Sequence, residues 1–326
     1  MPNVSPKVSQ YALAADIGGT NMRAALVDSA GNVTGRGSVG TFPENGIEDA
    51  AERLANLIEI ARKSAPKDIE IVGVGVSTAG PLQPATGTYN HPPNLTGWHG
   101  QTMKPLLSQS LGLNVSIGHD ATLAALAETR FGDHAGARNL IYVTISTGVG
   151  GGIIANGEMV TGSTGGAGEV GHIYVRPGSY ECNVGCDGCF EGNASGPAIA
   201  RAARDKFNIG GPLAKLAHGN PENITSKMVF DAADQGDTSA QEIVTTTIDN
   251  VGIGLASLVN TLDPEAIVIG GGVVLGLKRH WDKLHASVLK RVIPRYEEVP
   301  LTATRLGDDV SLLGAAQLAF REAARS

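Results

Sequence analysis

An α/β protein of two related domains is what this sequence predicts, and three observations carry the prediction. Apolar strands alternate with amphipathic helices, three of those strands run into glycine clusters, and the strand-helix pattern restarts near position 118. At 326 residues with 42% hydrophobic content, the chain is long enough for two domains that each bury a core. Its 44 glycines, beside 16 prolines and 17% charged residues, sit in an otherwise globular composition. That is roughly twice the usual ~7% glycine, so the excess calls for a role.

From Tyr11 to Val39 three short strands are expected, YALAADIGGT, MRAALVDSAG and NVTGRGSV, with Ser29-Ala30-Gly31-Asn32 turning the second into the third. In EDAAERLANLIEIARKSA the apolar residues Ala50, Leu54, Leu57, Ile58 and Ala61 recur at helical spacing, and Pro66 closes the element. EIVGVGVSTAG has the Val, Ile and small residues of a strand in the middle of a parallel sheet. The pattern then begins again: strand LNVSI, a helix over Ala121 to Phe131, strand NLIYVTIS and another strand over Gly152 to Ala155. Between Ala240 and Leu262 one face collects Val244, Ile248, Val251, Leu255, Leu258 and Leu262, which predicts a core helix, and it runs into strand AIVIGGG. LLGAAQLAFREAARS reads as a closing amphipathic helix. The expected division is a domain over 1–118 joined by the C-terminal helix 311–326, and a second over 119–310 with a loop at 172–191.

Charge excludes some partners. The balance of 25 Lys+Arg against 32 Asp+Glu is net -7, with no basic stripe, so neither nucleic acid nor an anionic membrane is expected to be held through phosphate contacts. MPNVSPKVSQYALAADIGG has no apolar stretch behind a basic segment, and no 18-residue apolar run occurs, so a cytoplasmic location is expected. Cys182, Cys186 and Cys189 fall in one short segment, which is the crowding of a metal or redox site and not of a disulfide framework.

The glycine clusters are Asp16-Ile17-Gly18-Gly19-Thr20-Asn21, Ser146-Thr147-Gly148-Val149-Gly150-Gly151-Gly152 and Ile269-Gly270-Gly271-Gly272-Val273. None is a Walker A loop or a GxGxxG fingerprint. Backbone free of side chains at a strand end can approach a polyphosphate and offer it N–H groups, and Thr20 and Thr147 add hydroxyl donors. A single such cluster is ordinarily a turn; three together point to a nucleotide. Asp16 beside the first pair would repel that nucleotide unless Mg²⁺ lay between them, so the same reading implies a metal. His119-Asp120 opens the helix ATLAALAETRF, where an aspartate is expected as an N-cap whatever else it does.

The hairpin ALAADIGGTNMRAALVD, the segment GVSTAGPL, STGVGGG, GEVGH at Gly168 to His172, the cysteine cluster with Cys189-Phe190-Glu191 and Ala194-Ser195-Gly196, and IGGGV, in this order, resemble the ROK family of sugar kinases from about Leu13 to the C-terminus. The resemblance implies the actin-like ATPase (ribonuclease H-like) fold, two related α/β domains around a central cleft. It implies that Asp16, Gly18, Gly19 and Thr20 are the first phosphate loop, Thr147 and Gly148 the second, and Gly271 and Gly272 the adenosine contact. Asp120 then is the catalytic base that accepts the proton of the attacking sugar hydroxyl, and Asn94, His119, Asp120, Glu169, His172 and Glu191 are sugar contacts. Family members carry Asn where this chain has His119; a neutral imidazole still donates one hydrogen bond and accepts one. His172, Cys182, Cys186 and Cys189 give His-x9-Cys-x3-Cys-x2-Cys, a ligand set suited to structural zinc. The family spacing is His-x9-Cys-x-Cys-x4-Cys, which would place a ligand at Val184, so a reduced thiol loop without metal is the alternative.

The implied activity is an ATP- and Mg²⁺-dependent hexokinase acting on the 6-hydroxyl of glucose, a glucokinase. N-acetylmannosamine, N-acetylglucosamine and fructose kinases on the same skeleton are alternatives, as is a sugar sensor without catalysis. ROK transcriptional regulators place a helix-turn-helix domain before the first hairpin, and the few residues ahead of Leu13 leave no expectation of one. Sugar and ATP are the expected small-molecule partners, and a homodimer or higher homo-oligomer is the expected state.

Overall fold

The computed structural model describes residues 9–83 and 85–325. Ser9–Ile17 (β1), Asn21–Asp28 (β2) and Val33–Gly40 (β3) form an antiparallel meander, and Ile47–Arg62 (α1) leads into Ile69–Thr78 (β4). The short hairpin of Leu82–Gln83 (β5) and Thr88–Tyr89 (β6) and helix Lys104–Leu111 (α2) precede Val115–His119 (β7) and Asp120–Phe131 (α3). Leu140–Ile145 (β8), Val149–Ala155 (β9) and Glu158–Met159 (β10) repeat the opening meander. Five helices follow: Phe190–Ala194 (α4), Gly196–Asp205 (α5), Pro212–Leu216 (α6), Ser226–Asp234 (α7) and Thr238–Leu262 (α8). Ala266–Gly270 (β11), Val274–Leu277 (α9), Trp281–Leu289 (α10), Leu301–Ala303 (β12) and Val310–Ala323 (α11) complete the chain.

The first sheet runs β3-β2-β1-β4-β7 and the second β10-β9-β8-β11-β12. Counted from the first strand of each, both orders are 3-2-1-4-5, so the restarted pattern in the sequence is a repeated topology. In each sheet the first strand pairs with parallel neighbours on its far side: β1 with β4 and β4 with β7, β8 with β11 and β11 with β12.

By contacts, one compact unit holds the chain up to Arg138, Gly152–Ala167 and Arg305 onward, and the other holds Asn139–Gly151 and Gly168–Thr304. This differs from a division at Gly118. Helix α3 stays with the first unit because it packs along α11, with Ala127 joining Leu312, Ala315, Ala316 and Ala319. The returning strand joins them through Gly152, where a Cβ would stand 2.0 Å from the Ala121 carbonyl oxygen.

Strand β1 is buried on both faces, and its residues alternate between two cores with period two. Ala12 and Ala14 meet α11, whereas Leu13, Ala15 and Ile17 share a core with Leu54 and Ile58 of α1. The core of the second unit gathers Ile141, Val143 and Ile145 of β8, Ile267 and Ile269 of β11, and Val244, Ile248, Val251 and Leu255 of α8. The α8 helix starts earlier than its apolar stripe because Asp237 caps it, accepting the Ala240 N–H at 3.1 Å. Leu262, expected on the buried face, lies exposed in the last turn. No helix among the described residues is long and apolar enough to cross a membrane.

Candidate functional site

In the first unit, strand register gathers the predicted residues at one edge of the sheet. Ile17 of β1 pairs with Thr78 of β4, and Thr78 pairs with His119 of β7. All three strands are parallel, so the Gly18–Thr20 turn, the Ala79-Gly80 segment and Asp120 leave the sheet at the same carboxyl-end edge. Neighbouring strands lie about 4.8 Å apart, which separates the backbones of Ile17 and His119 by about 10 Å. Carboxyl ends of parallel strands are where open α/β sheets bind ligands.

The first glycine turn is held from behind. Gly18 N–H donates to the Asn21 carbonyl at 2.9 Å, and buried Thr41 gives its N–H to the Thr20 carbonyl at 2.8 Å and its hydroxyl to the Gly18 carbonyl at 2.7 Å. Arg53 in turn binds the carbonyls of Gly40 and Thr41. Carbonyls so engaged fix the peptide planes of a turn whose other groups face outward. Asp16, in β1 just before it, is directly opposite Arg23 in the β1–β2 register. The guanidinium donates to Asp16 Oδ2 through Nη2 at 2.6 Å and Nε at 3.2 Å, and through Nη1 to the Asp308 carbonyl at 2.9 Å. Sequence reasoning passed over Arg23, although the short turn that fixes the hairpin register pairs the two residues seven apart.

Asn94 sits in a loop fastened by Leu95 and Trp98, both fully buried. Trp98 meets the Tyr89 ring edge-on at 5.3 Å between centroids, and its Nε1–H donates to the Pro43 carbonyl at 3.3 Å. The Tyr89 hydroxyl lies 3.0 Å from Thr78 Oγ1, and burial pushes its phenol far above the ordinary range. Between these anchors Asn94 stays exposed beside the glycine turn, its Cβ 3.0 Å from where a Cβ on Gly19 would be.

Asp120 is the first residue of α3 and not its cap; the N-cap position belongs to His119, whose side chain makes no capping bond. Asp120 Oδ1 accepts the Ala121 N–H at 2.6 Å, and His119 Nε2 stands 3.4 Å from the same oxygen.

The second unit carries its own edge. Residues Ser146 to Gly148 turn β8 into β9, with Ser146 N–H donating to the Gly148 carbonyl at 2.8 Å. Glu191 Oε2 accepts the Val149 N–H at 3.0 Å and lies 2.6 Å from where a Gly148 Cβ would stand. Gly270 of β11 pairs with Thr144 of β8, so Gly271 and Gly272 turn beside Thr147 and Gly148. Gly271 has φ 91, and a Cβ there would stand 2.4 Å from the Ile145 carbonyl oxygen, so both backbone and space require glycine.

Glu169 precedes the single 3₁₀ turn Val170–His172, and His172 uses its two ring nitrogens in different directions. Nε2 is 3.8 Å from Glu169 Oε2, while Nδ1 is 3.5 Å from Cys186 Sγ and 3.8 Å from Cys182 Sγ. A turn over residues 182–186, closed by the Cys182 N–H to Cys186 carbonyl bond at 3.1 Å, brings the two thiols together. The x3 spacing therefore delivers both cysteines to His172, and Val184, where the family spacing expects a ligand, is 66% exposed. These three ligand atoms lie within 4.8 Å of one another. Cys189 is outside that set; its buried Sγ caps α4 by accepting the Gly192 N–H at 3.3 Å. Burial pushes the Cys189 thiol up to about 11, whereas the Val184 and Cys186 backbone N–H groups outweigh desolvation at Cys182 and lower it.

Two α/β units of matching strand order, each with glycine turns at the carboxyl ends of its strands, define the actin-like ATPase fold. The chain belongs to the ROK family, whose profile matches residues 12–322. It is 32% identical over 306 residues to the glucokinase of Thermotoga maritima, covering 93% of this chain and 95% of that one. The ROK hexokinase of Thermus thermophilus superposes with TM-score 0.83 at 33% identity, over 97% of this chain and 100% of that one. A ROK family glucokinase from Streptomyces griseus, solved with glucose and AMPPNP, does so with TM-score 0.78 at 32% identity, over 95% and 99%.

Proposed function

We propose that this chain is an ATP-dependent glucokinase in which Asp120 is the base. The observation that carries the reading is the register of β1, β4 and β7, which brings the Gly18–Thr20 turn and the Asp120 carboxylate to one edge of one sheet. The full-length likeness to glucokinases, one of them solved with glucose and an ATP analogue, supports the donor and the acceptor.

In this reading the sugar 6-hydroxyl oxygen attacks the γ-phosphorus, its proton passes to the Asp120 carboxylate, and the bond to the β–γ bridging oxygen breaks to release ADP. Such a transition state is loose and asks the protein mainly for position and charge neutralisation, with the base adding roughly 10²–10⁴-fold. Gly18, Gly19 and Thr20 offer the phosphates backbone N–H groups and a hydroxyl, as do Thr147 and Gly148, and Gly271 and Gly272 leave room for adenosine. Mg²⁺ bound with ATP would supply charge neutralisation at the phosphates. Asp16, whose Oδ2 is already bound by the Arg23 guanidinium, would reach such an ion through its water shell. Asn94, Glu169, His172 and Glu191 are the proposed sugar contacts, with His119 beside Asp120; each contact supplies the donor or acceptor that a hydroxyl needs.

Three donors gathered at His172, Cys182 and Cys186 support a zinc reading. Ligands about 2.0–2.3 Å from a tetrahedral centre stand about 3.6 Å apart, close to the 3.5 and 3.8 Å separations of His172 Nδ1 from the two sulfurs. We place structural zinc on His172, Cys182 and Cys186 with Cys189 as fourth ligand, where it would fix the loop carrying Glu191. A soluble homodimer or larger homo-oligomer in the cytoplasm completes the proposal, and light scattering tests its assembly.

The decisive assay measures ADP release over a panel of glucose, fructose, mannose, N-acetylglucosamine and N-acetylmannosamine, with Asp120→Asn as control. Turnover on glucose is expected, with a loss of at least about a hundredfold in the variant. Equal activity of the two proteins removes Asp120 from the mechanism, and no ADP with any sugar overturns the kinase reading in favour of a sensor.

A further inference from the structure

His119 closes β7 in extended conformation, at φ -67 and ψ 135, and occupies the N-cap position of α3 without capping it. Its ring is directed elsewhere. Nε2 stands 3.4 Å from Asp120 Oδ1, the oxygen that also takes the Ala121 N–H at 2.6 Å. Behind the ring lies Gly80: a Cβ at that position would be 2.4 Å from His119 Cδ2 and 3.2 Å from Nε2. A side chain at position 80 would collide with the imidazole where it is, so ring and glycine approach closely. Beyond it, His119 lines a pocket of about 320 Å³ together with Lys104, Thr122 and Glu322.

A carboxylate on the first turn of a helix has rotamers that leave the substrate as well as ones that face it. Here one of its oxygens accepts the Ala121 N–H and has the imidazole nitrogen 3.4 Å away. We propose that His119 is a positioning residue for Asp120, and that Gly80 is the surface that holds His119 in place. The residue would thus act through the base and not mainly as a sugar hydroxyl partner. The proposal rests on the reading of Asp120 as base. The Nε2 contact at 3.4 Å, longer than the Ala121 bond at 2.6 Å, restrains the carboxylate that would accept the hydroxyl proton.

The test is a set of variants assayed for kcat and for glucose KM, each checked by thermal unfolding. His119→Ala is expected to lower kcat about tenfold or more, with glucose KM within about threefold of the parent, because an oriented base matters in the transition state and not in sugar binding. His119→Gln, whose amide can donate to the same oxygen, should recover part of the loss. In the Asp120→Asn background the His119→Ala change should cost nothing further, because the group it positions is gone. Gly80→Ala should reproduce the kcat loss in the parent but be nearly silent beside His119→Ala, where the space has opened. A rise in glucose KM with kcat unchanged, or losses that simply add in the His119/Asp120 double variant, overturns the proposal and makes His119 a sugar contact. Parental activity of Asp120→Asn would instead sink the base assignment itself.

Discussion

The two sheets share a strand order and differ in what stands at their carboxyl ends. In the first, the opening strand carries Asp16, ion-paired to Arg23, just before its turn, and the fifth strand delivers Asp120. In the second, the corresponding turn at Thr147 and Gly148 has no acid of its own and is braced by Glu191 from α4, and the fifth strand, β12, ends at Ala303 without a carboxylate. Repetition of the topology fixes where loops emerge, because register and strand order place the ends. The side chains on those loops then set the chemistry: the first unit's edge takes its acids from β1 and the start of α3, the second unit's from Glu191 of α4.

That asymmetry can be broken by experiment. Asp16→Ala should have the largest effect, a loss of about a hundredfold or more in turnover with MgATP, since on the proposed reading it removes the carboxylate that would hold Mg²⁺ beside the phosphates. Thr147→Ala, at the equivalent turn, should lose only about tenfold, the value of one hydroxyl donor at about 1.4 kcal/mol. Equal losses in steady-state assays would mean that the two turns are not specialised as described. Removing zinc should act through the second unit: with metal analysis at zero, glucose KM is expected to rise about tenfold, the cost of one displaced hydrogen bond, while AMPPNP affinity by calorimetry stays within about twofold. A stripped protein with intact glucose KM would cut the link between the cysteine loop and Glu191.

Arg23→Met sharpens the comparison inside the first unit. The pair it breaks is partly exposed, with side chains 34% and 15% accessible, so solvent weakens it. A rise of about fivefold in the KM for MgATP is expected, within the range of a partly screened charge-assisted bond, with glucose KM unchanged. The smallest effect should be Thr41→Val, which leaves the Gly18 carbonyl without its hydroxyl partner. It should lower stability by about 1 kcal/mol in denaturant unfolding and loosen the first glycine turn without touching the second.

Much of this edge was legible in the chain. Strands β1 to β4 follow from period-two and buried apolar runs, α1 from Ala50, Leu54, Leu57, Ile58 and Ala61, and each glycine cluster does fall at a strand end. Asp120 was readable as a residue opening a helix, though its place one residue inside the cap was not. The helices between Phe190 and Asp234 went unread, since they are short and each stabilises itself only against the core around Phe190, Phe230 and α8. The division at Gly118 shifted for a similar reason: α3 follows β7 in the chain, but its partner is α11, nearly two hundred residues on.

By itself the sequence determined the longer elements, the restart of the strand-helix pattern and the candidate residues, because periodicity and turn preference act over a few neighbouring residues. Only the tertiary structure decided which of those residues meet. Arg23 faces Asp16 through hairpin register, Gly80 backs His119 across two strands, and Cys186 reaches His172 through a turn whose spacing departs from the family pattern. Each of these contacts depends on how separate segments pack against one another, and a pattern of hydrophobicity along the chain does not encode the register at which they do so.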